Sequence, residues 1–568
     1  MYLSGALLRV GDGLRLDLRV QETGSGHVIY ADKVEGTDAK AVFAMVDKAT
    51  SGILAQISPG ENSSLNVGAS LTSNLEALKA YEEGVKFYDR FLLDDAQASL
   101  RRATQLDPNF AMAYYELAEM NFDNFEGGRR EIQPAARLAE QNPLPRLQKV
   151  LIQIAQLRFD GKLQEAEQAA QDAVREFPRE TEPRFAMMEM LWDQEKVGQA
   201  KPYLEEIAKL DPKRAAAQNY LAYEDVALGD TNAALADIDR YAALVPPKDP
   251  NPYDSRGDVL AISGRYAEAI AQYRLCIQMS SRLGGVAYGD PFEEEKIALA
   301  HASAGDFSQA DSMSTQAYNE SKGPDHASAS GARADVEVTR GQFASAVGYY
   351  EEAARLFAEN GFDLAKGPLI EAAQVDLEQG LAGDAMALGQ RDRTPWAPAV
   401  RALTDLYLKK DSEADREFQE LHKSLDPILG AYSTDKTIAT VRLLGAAHAG
   451  RWQDVETIWP ELENRDDKQL AALAESRAEI ETGDFGRAEQ KLNSMSRLGQ
   501  MWGNLRYVAY TNGLSQVLAR YYLGVVYEKT NRKSEAVESY QDFLKHFEHS
   551  DAKLPQIEQA RAALKRLS

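Results

Sequence analysis

Tyr521-Tyr522-Leu523-Gly524-Val525-Val526-Tyr527, then Asn531, then Ala536, Tyr540 and Phe543, sets the architecture of this chain. Leu523, Gly524 and Tyr527 share one side of a first helix, and Ala536, Tyr540 and Phe543 keep the i, i+4, i+7 spacing of a second. Asn531 stands between them, at a helix end where a left-handed residue is required and Asn can replace Gly. The spacing predicts two antiparallel helices joined by a tight turn.

The same signature recurs along the chain. A Gly stands five residues before a small residue at Gly161/Ala166, Gly229/Ala234, Gly264/Ala269, Gly305/Ala310, Gly341/Ala346, Gly380/Ala385, Gly450/Val455 and Gly483/Ala488. The Gly ends a first helix in the left-handed region, and the small residue lets the second helix approach its neighbour. Intervals between these glycines include 33, 35 and 36 residues, and the 68-residue gap from Gly161 to Gly229 holds one further copy marked by Ala200, Leu204 and Pro212. Ala96, Leu100, Ala103 and Pro108 mark the first member. Its Asp107-Pro108 recurs as Asp211-Pro212 and Asp426-Pro427, each expected to follow a second helix, which Pro cannot continue.

This pattern resembles the tetratricopeptide repeat, whose period is close to these intervals. The resemblance implies a mainly α fold, an α-solenoid winding as a right-handed superhelix, here of about 13 helix pairs. Degenerate copies are placed near residues 111 to 140 and 398 to 427. The solenoid is expected over 74–550, with a polar-faced capping helix in 551–568, beginning near Lys553. Each pair in such an array covers only its neighbours, so stability is expected to be a sum of local terms.

Residues 1–57 follow a different period. Tyr2 to Val10, Leu14 to Glu22 and His27 to Val34 read as strands, with Leu14, Leu16, Leu18 and Val20 alternating with charged residues. Gly11-Asp12-Gly13 and Thr23-Gly24-Ser25-Gly26 provide the turns. Asp38 precedes a helical run in which Val42, Phe43, Val46, Ile53, Leu54 and Ile57 can cover the sheet. Leu3-Ser4-Gly5-Ala6-Leu7, Gly11-Asp12-Gly13-Leu14-Arg15-Leu16, Thr23-Gly24 and Val42-Phe43-Ala44-Met45-Val46-Asp47 resemble, in order, the second half of the TolB-like (FlgO-like) domain of bacterial regulators. The expectation is a partial α/β module at 1–57, a three-stranded antiparallel meander plus helix, lacking that domain's first half. Residues 58–73, rich in Gly, Ser and Asn, read as a linker. In relatives, this domain and a repeat array often follow a serine/threonine kinase or a winged-helix DNA-binding domain, and neither is present here.

Bulk composition narrows the function. The 568 residues carry 64 Lys and Arg against 88 Asp and Glu, a formal charge of −24, with pI near 4.9. A phosphate backbone meets a repulsive field, so no direct nucleic-acid partner is expected. The single cysteine, Cys276, excludes an intramolecular disulfide and a cysteine zinc site. No run of 18 apolar residues and no basic flank before an apolar core appear, so no membrane span and a cytoplasmic location are expected.

Chemical motifs dissolve on inspection. Asp484-Phe485-Gly486 matches the magnesium-binding tripeptide of kinases, but Asp306-Phe307-Ser308, Gln342-Phe343-Ala344 and Arg265-Tyr266-Ala267 occupy the same slot, which makes it an inter-helix turn. Gly24-Ser25-Gly26 lacks a third Gly, since Ile29 stands there. His546 and His549 read as solvated side chains near a helix end, and Cys276 as a small buried group. No catalytic, cofactor or metal set emerges, so the chain is expected to be no enzyme and to carry no cofactor.

The tetratricopeptide resemblance implies that first-helix positions 2, 5, 9, 12 and 13 line a concave groove. Carried over by register, these positions include Tyr81, Tyr88, Phe159, Phe185, Trp192 and Tyr223, with Tyr115 and Phe122 from a second copy counted onward from Pro108. Asp89, Glu119, Asp123, Glu189, Asp193 and Glu224 add acidity. Arg158 and Asn219 are the only obvious candidates for gripping a peptide carboxylate. The expectation is a scaffold for bacterial signalling that holds a protein or peptide with apolar and basic residues. The alternative is that several of these aromatics pack between repeats. The rival for the chain as a whole is the sensory tail of a larger kinase or transcription regulator.

Overall fold

The computed structural model describes the chain except for residues 38–40, 58–71, 122–124, 143, 195, 284–289, 361–365, 463–464, 498–512 and 549. Asp38, most of the expected linker, Phe122, Asp123 and His549 therefore lie outside the described residues. The chain forms two compact units, Met1–Met187 and Met188–Ser568.

In the first unit, β1 (Tyr2–Val10), β2 (Gly13–Gln21) and β3 (Val28–Gly36) make an antiparallel meander in that order. Leu7 lies opposite Leu16, and Leu16 opposite Val34, so the alternating leucines share one face. Gly11, at φ 62°, makes the first turn. Helix α1 (Val42–Ile57) packs on that face, where Met45 and Ala49 meet Val34, Leu14, Leu16 and Leu18. Leu3 and Leu7 on β1 stay 56% exposed.

Helices α2 (Leu75–Tyr88), α3 (Leu93–Leu106), α4 (Ala111–Glu119), α5 (Phe125–Gln141), α6 (Arg146–Phe159) and α7 (Leu163–Glu176) follow as hairpins. Helix α8 (Glu182–Asp193) opens the next pair with α9 (Val197–Leu210). The second unit then runs through α10 (Ala215–Ala227), α11 (Thr231–Leu244), α12 (Asn251–Ile262), α13 (Tyr266–Leu283), α14 (Asp290–Ser303) and α15 (Phe307–Glu320). It continues with α16 (Pro324–Thr339), α17 (Phe343–Glu359), α18 (Lys366–Glu378), α19 (Ala382–Arg391), α20 (Ala397–Tyr407) and α21 (Asp411–Leu429). Last come α22 (Ala431–His448), α23 (Trp452–Ile458), α24 (Arg465–Thr482), α25 (Phe485–Met495), α26 (Gly513–Lys529), α27 (Lys533–Lys545) and α28 (Pro555–Leu567). Among the described residues, the 26 helices from α2 to α27 make thirteen successive pairs.

The turns show why the signature works. All eight signature glycines have φ between 74° and 90°. At Gly229 the amide donates to Val226 O at 3.1 Å and the next amide, Asp230 N, to Asp225 O at 2.8 Å, which satisfies the last carbonyls of α10. Asp230 then caps α11, as Asp306 and Asp484 cap α15 and α25. Asp484-Phe485-Gly486 is thus a helix start. Every small residue of the signature is fully buried. Three turns do the same without Gly: Phe91, Lys409 and Asn531 have φ near 60°, and each stands five residues before a buried alanine, Ala96, Ala414 or Ala536.

Three expectations need correction. Pro427 does not follow a second helix but lies within α21, because the helix runs on to Gly430, whose φ of 82° ends it. Nor do pairs in the second unit touch only their neighbours. Helix α26 packs on α16, and Gly513 N donates to Asp335 Oδ1 at 2.8 Å. Beyond α27, Ser550 Oγ donates to Gly341 O at 2.9 Å, and Asp551 accepts from Phe343 N at 2.7 Å. The capping helix also reaches back, since Gln556 Nε2 donates to Glu378 Oε2 at 3.1 Å. His546 is not solvated: it is buried, hydrogen-bonded through Nδ1 to Thr339 O at 2.8 Å, and burial lowers its pKa to about 3.

Candidate functional site

In the first unit the predicted aromatics join successive first helices. Tyr81 on α2 stacks on Phe110 with centroids 4.8 Å apart and donates its hydroxyl to Glu116 Oε1 on α4 at 3.1 Å. Tyr88 donates to Glu119 O at 3.4 Å. Glu119 itself is buried and paired with Arg158 on α6 at 3.2 Å, and the guanidinium lies 4.6 Å above the Phe159 ring. That pairing makes Arg158 part of the wall. Phe159 is fully buried, its ring filling the space beside Gly128 on α5. Tyr115 is also buried, whereas Tyr81, Tyr88, Asp89 and Phe185 are half-buried. So Phe159 and Tyr115 build the core under the face, and Tyr81 and Tyr88 form its surface.

In the second unit, Trp192 on α8 meets Tyr220 edge-on at 5.1 Å and Tyr223 at 6.5 Å, and its indole N–H donates to Glu224 Oε1. Glu189 is half-buried on the same helix, which also carries Asp193. Glu224 is fully buried, and desolvation raises its pKa to about 8 against the opposing Trp192 hydrogen bond. Its Oε2 and both side-chain polar atoms of Asn219 have no hydrogen-bond partner among the described residues. Tyr223 is interior, donating to Asp258 Oδ2 at 2.7 Å.

The polar row continues where no partner contact was expected. Extending the register past Ala234 puts groove positions on Asp254, Asp258, Glu295, Ser328 and Asp335. The structure buries all five. Tyr273 donates to Asp258 Oδ1 at 2.8 Å, and Lys296 donates to Asp254 and Asp258. Burial opposes the Lys296 charge, but the surrounding Asp254, Asp258 and Glu293 outweigh it and hold its pKa above the ordinary value. Desolvation raises Asp254 to about 7 and Glu293 to about 8. Cys276 donates to Glu293 Oε1 at 3.3 Å, and burial drives its thiol pKa upward, so it is no nucleophile. The sequence signal lies in the register itself, which runs on through the copies marked by Ala269, Ala310 and Ala346.

Among the described residues, no group of three His, Cys, Asp or Glu side chains is placed to hold a metal. No described helix is long and apolar enough to cross a membrane.

Residues 296–361, from α14 through α17, match the family model described as tetratricopeptide repeat. The chain is a helical repeat protein carrying that sequence signature. A search of curated proteins finds no match. Among solved structures it is similar to a tetratricopeptide repeat protein from Parabacteroides merdae, at 15% identity over 53% of this chain and 98% of that one, with a TM-score of 0.30.

Proposed function

We propose that the chain is a non-catalytic interaction scaffold of bacterial signalling, working in the cytoplasm, whose first-helix faces hold a peptide or protein segment with apolar and basic residues. The observation that carries this is the corner formed by Trp192, Tyr220, Glu224 and Asn219. An aromatic wall there stands beside a buried carboxylate oxygen and a buried amide with no partner among the described residues. Buried polar groups are ordinarily satisfied, and a partner's backbone amide, with its N–H as donor and its carbonyl as acceptor, would supply what is missing. Tyr81, Tyr88, Asp89 and Phe185 in the first unit, and Glu189 in the second, are half-buried on first helices of their own units, and Asp193 belongs to the same helix as Glu189.

The test is a peptide array varying Leu, Lys and Arg content, probed with the full chain and with Trp192→Ala and Glu224→Gln. Trp192→Ala weakens capture about tenfold while circular dichroism stays unchanged, as expected for loss of an aromatic anchor. Above pH 8, where Glu224 gives up its proton, Glu224→Gln reduces the preference for basic peptides. Equal capture by all three proteins, or equal capture of acidic peptides, overturns the reading.

A further inference from the structure

Half of the large apolar side chains left exposed among the described residues fall within the first ten residues: Met1, Tyr2, Leu3, Leu7, Leu8 and Val10. All but Met1 belong to β1, which pairs among the described residues with β2 on one side only. On the helix-facing side, α1 rests on β3 and β2, so Leu3 and Leu7 extend the apolar face beyond its cover. A long, mostly apolar edge with a single charged side chain, Arg9, is what natural sheets avoid leaving bare.

We propose that two copies of this chain pair β1 with β1 antiparallel about Gly5, joining their meanders into one continuous six-stranded sheet. Antiparallel partners must present facing residues to the same side of the sheet, which restricts the pairings. Centred on Gly5, Leu3 lies opposite the second copy's Leu7, Tyr2 opposite its Leu8, and Ser4 opposite its Ala6. Large apolar groups meet large apolar groups, and small meet small. Centred one residue later, on Ala6, Leu3 would face Arg9 and Leu7 would face Gly5, which wastes both leucines.

Charge favours the same occupant. The chain carries a formal charge of −24, so most of its surface repels a second copy, but residues 1–10 hold no acidic side chain and one charged side chain, Arg9. The edge is therefore a stretch at which two such acidic molecules can meet without opposing carboxylates. Nothing in this pairing depends on the peptide-binding role proposed above.

The full chain with Leu3→Cys and Leu7→Cys tests the register. Two residues four apart on one strand are too distant for a disulfide within the chain, and Cys276 is buried, so oxidation links residue 3 of one copy to residue 7 of the other. Mild oxidant is expected to yield a covalent dimer from the double variant and none from Leu3→Cys alone. By light scattering, the unmodified chain is expected to be a dimer, and Leu3→Lys with Leu7→Lys a monomer of unchanged circular dichroism. An unmodified chain that is monomeric at micromolar concentration, a dimer that survives the lysine pair, or a double cysteine variant that stays unlinked overturns the proposal. A monomer with freely exchanging β1 amides would return that edge to some other protein.

Discussion

The carboxylate of Asp551 caps a helix that begins 208 residues earlier: Oδ1 accepts from Phe343 N at 2.7 Å and Oδ2 from Ala344 N at 3.3 Å. Helix α17 has no local cap, because the preceding Gln342 makes no side-chain bond to the first turn. Replacing Asp551 by Ala is expected to cost about 1 kcal/mol of second-unit stability in denaturant titration. Faster hydrogen exchange should appear at Phe343 and Ala344, and Asp551→Asn should retain most of the protection.

The same return contact changes what truncation does. In an array of purely local terms, deleting residues 513–568 would loosen α25 and leave α16 to α18 untouched. Here α16 loses the whole of α26, and Asp335 loses its Gly513 partner. Hydrogen exchange of the deletion is expected to rise in α16 and α17 as much as in α25. Protection that falls off smoothly from the cut would contradict this.

Two glycines separate backbone from packing. A Cβ at Gly264 meets nothing within 4 Å, yet its φ is 76°, so Gly264→Ala should cost about 1 kcal/mol through conformation alone. A Cβ at Gly524 would lie 2.6 Å from the Tyr540 ring, so Gly524→Ala should cost about 1 to 3 kcal/mol through overpacking. Asn in place of Gly264 should recover part of the loss, and Asn in place of Gly524 should deepen it. Chemical denaturation of the four variants reads both.

Glu224 makes stability depend on pH in a defined direction. Burial raises its pKa from 4.5 to about 8, so between those values the folded chain keeps a proton that the unfolded chain releases. Its contribution is complete below pH 4.5 and declines as pH rises toward 8. Glu224→Gln is expected to flatten part of that decline in thermal melts from pH 5 to 8; an identical slope in both proteins would show that the carboxylate is ionised throughout.

What the sequence revealed and what it hid divide by the range of the interactions. The hairpins were legible because a positive-φ residue and a small residue five positions later are neighbours along the chain. Phe91 and Lys409 escaped because the left-handed turn they make has no Gly or Asn to mark it. Tyr81 and Tyr88 both lie on α2, a first helix, but the depth of Phe159 and Tyr223 depends on what stands opposite, Gly128 in one case and Asp258 in the other. Contacts such as Asp551 with Phe343 follow no period at all.

The distant cap also imposes an order on biosynthesis. At roughly 5 to 20 residues per second, the 208 residues from Phe343 to Asp551 take on the order of ten to forty seconds to leave the ribosome. For that interval the flank of α16 and α17 waits without its cover, so a nascent chain stalled there offers a chaperone or a protease a surface that the finished protein withdraws.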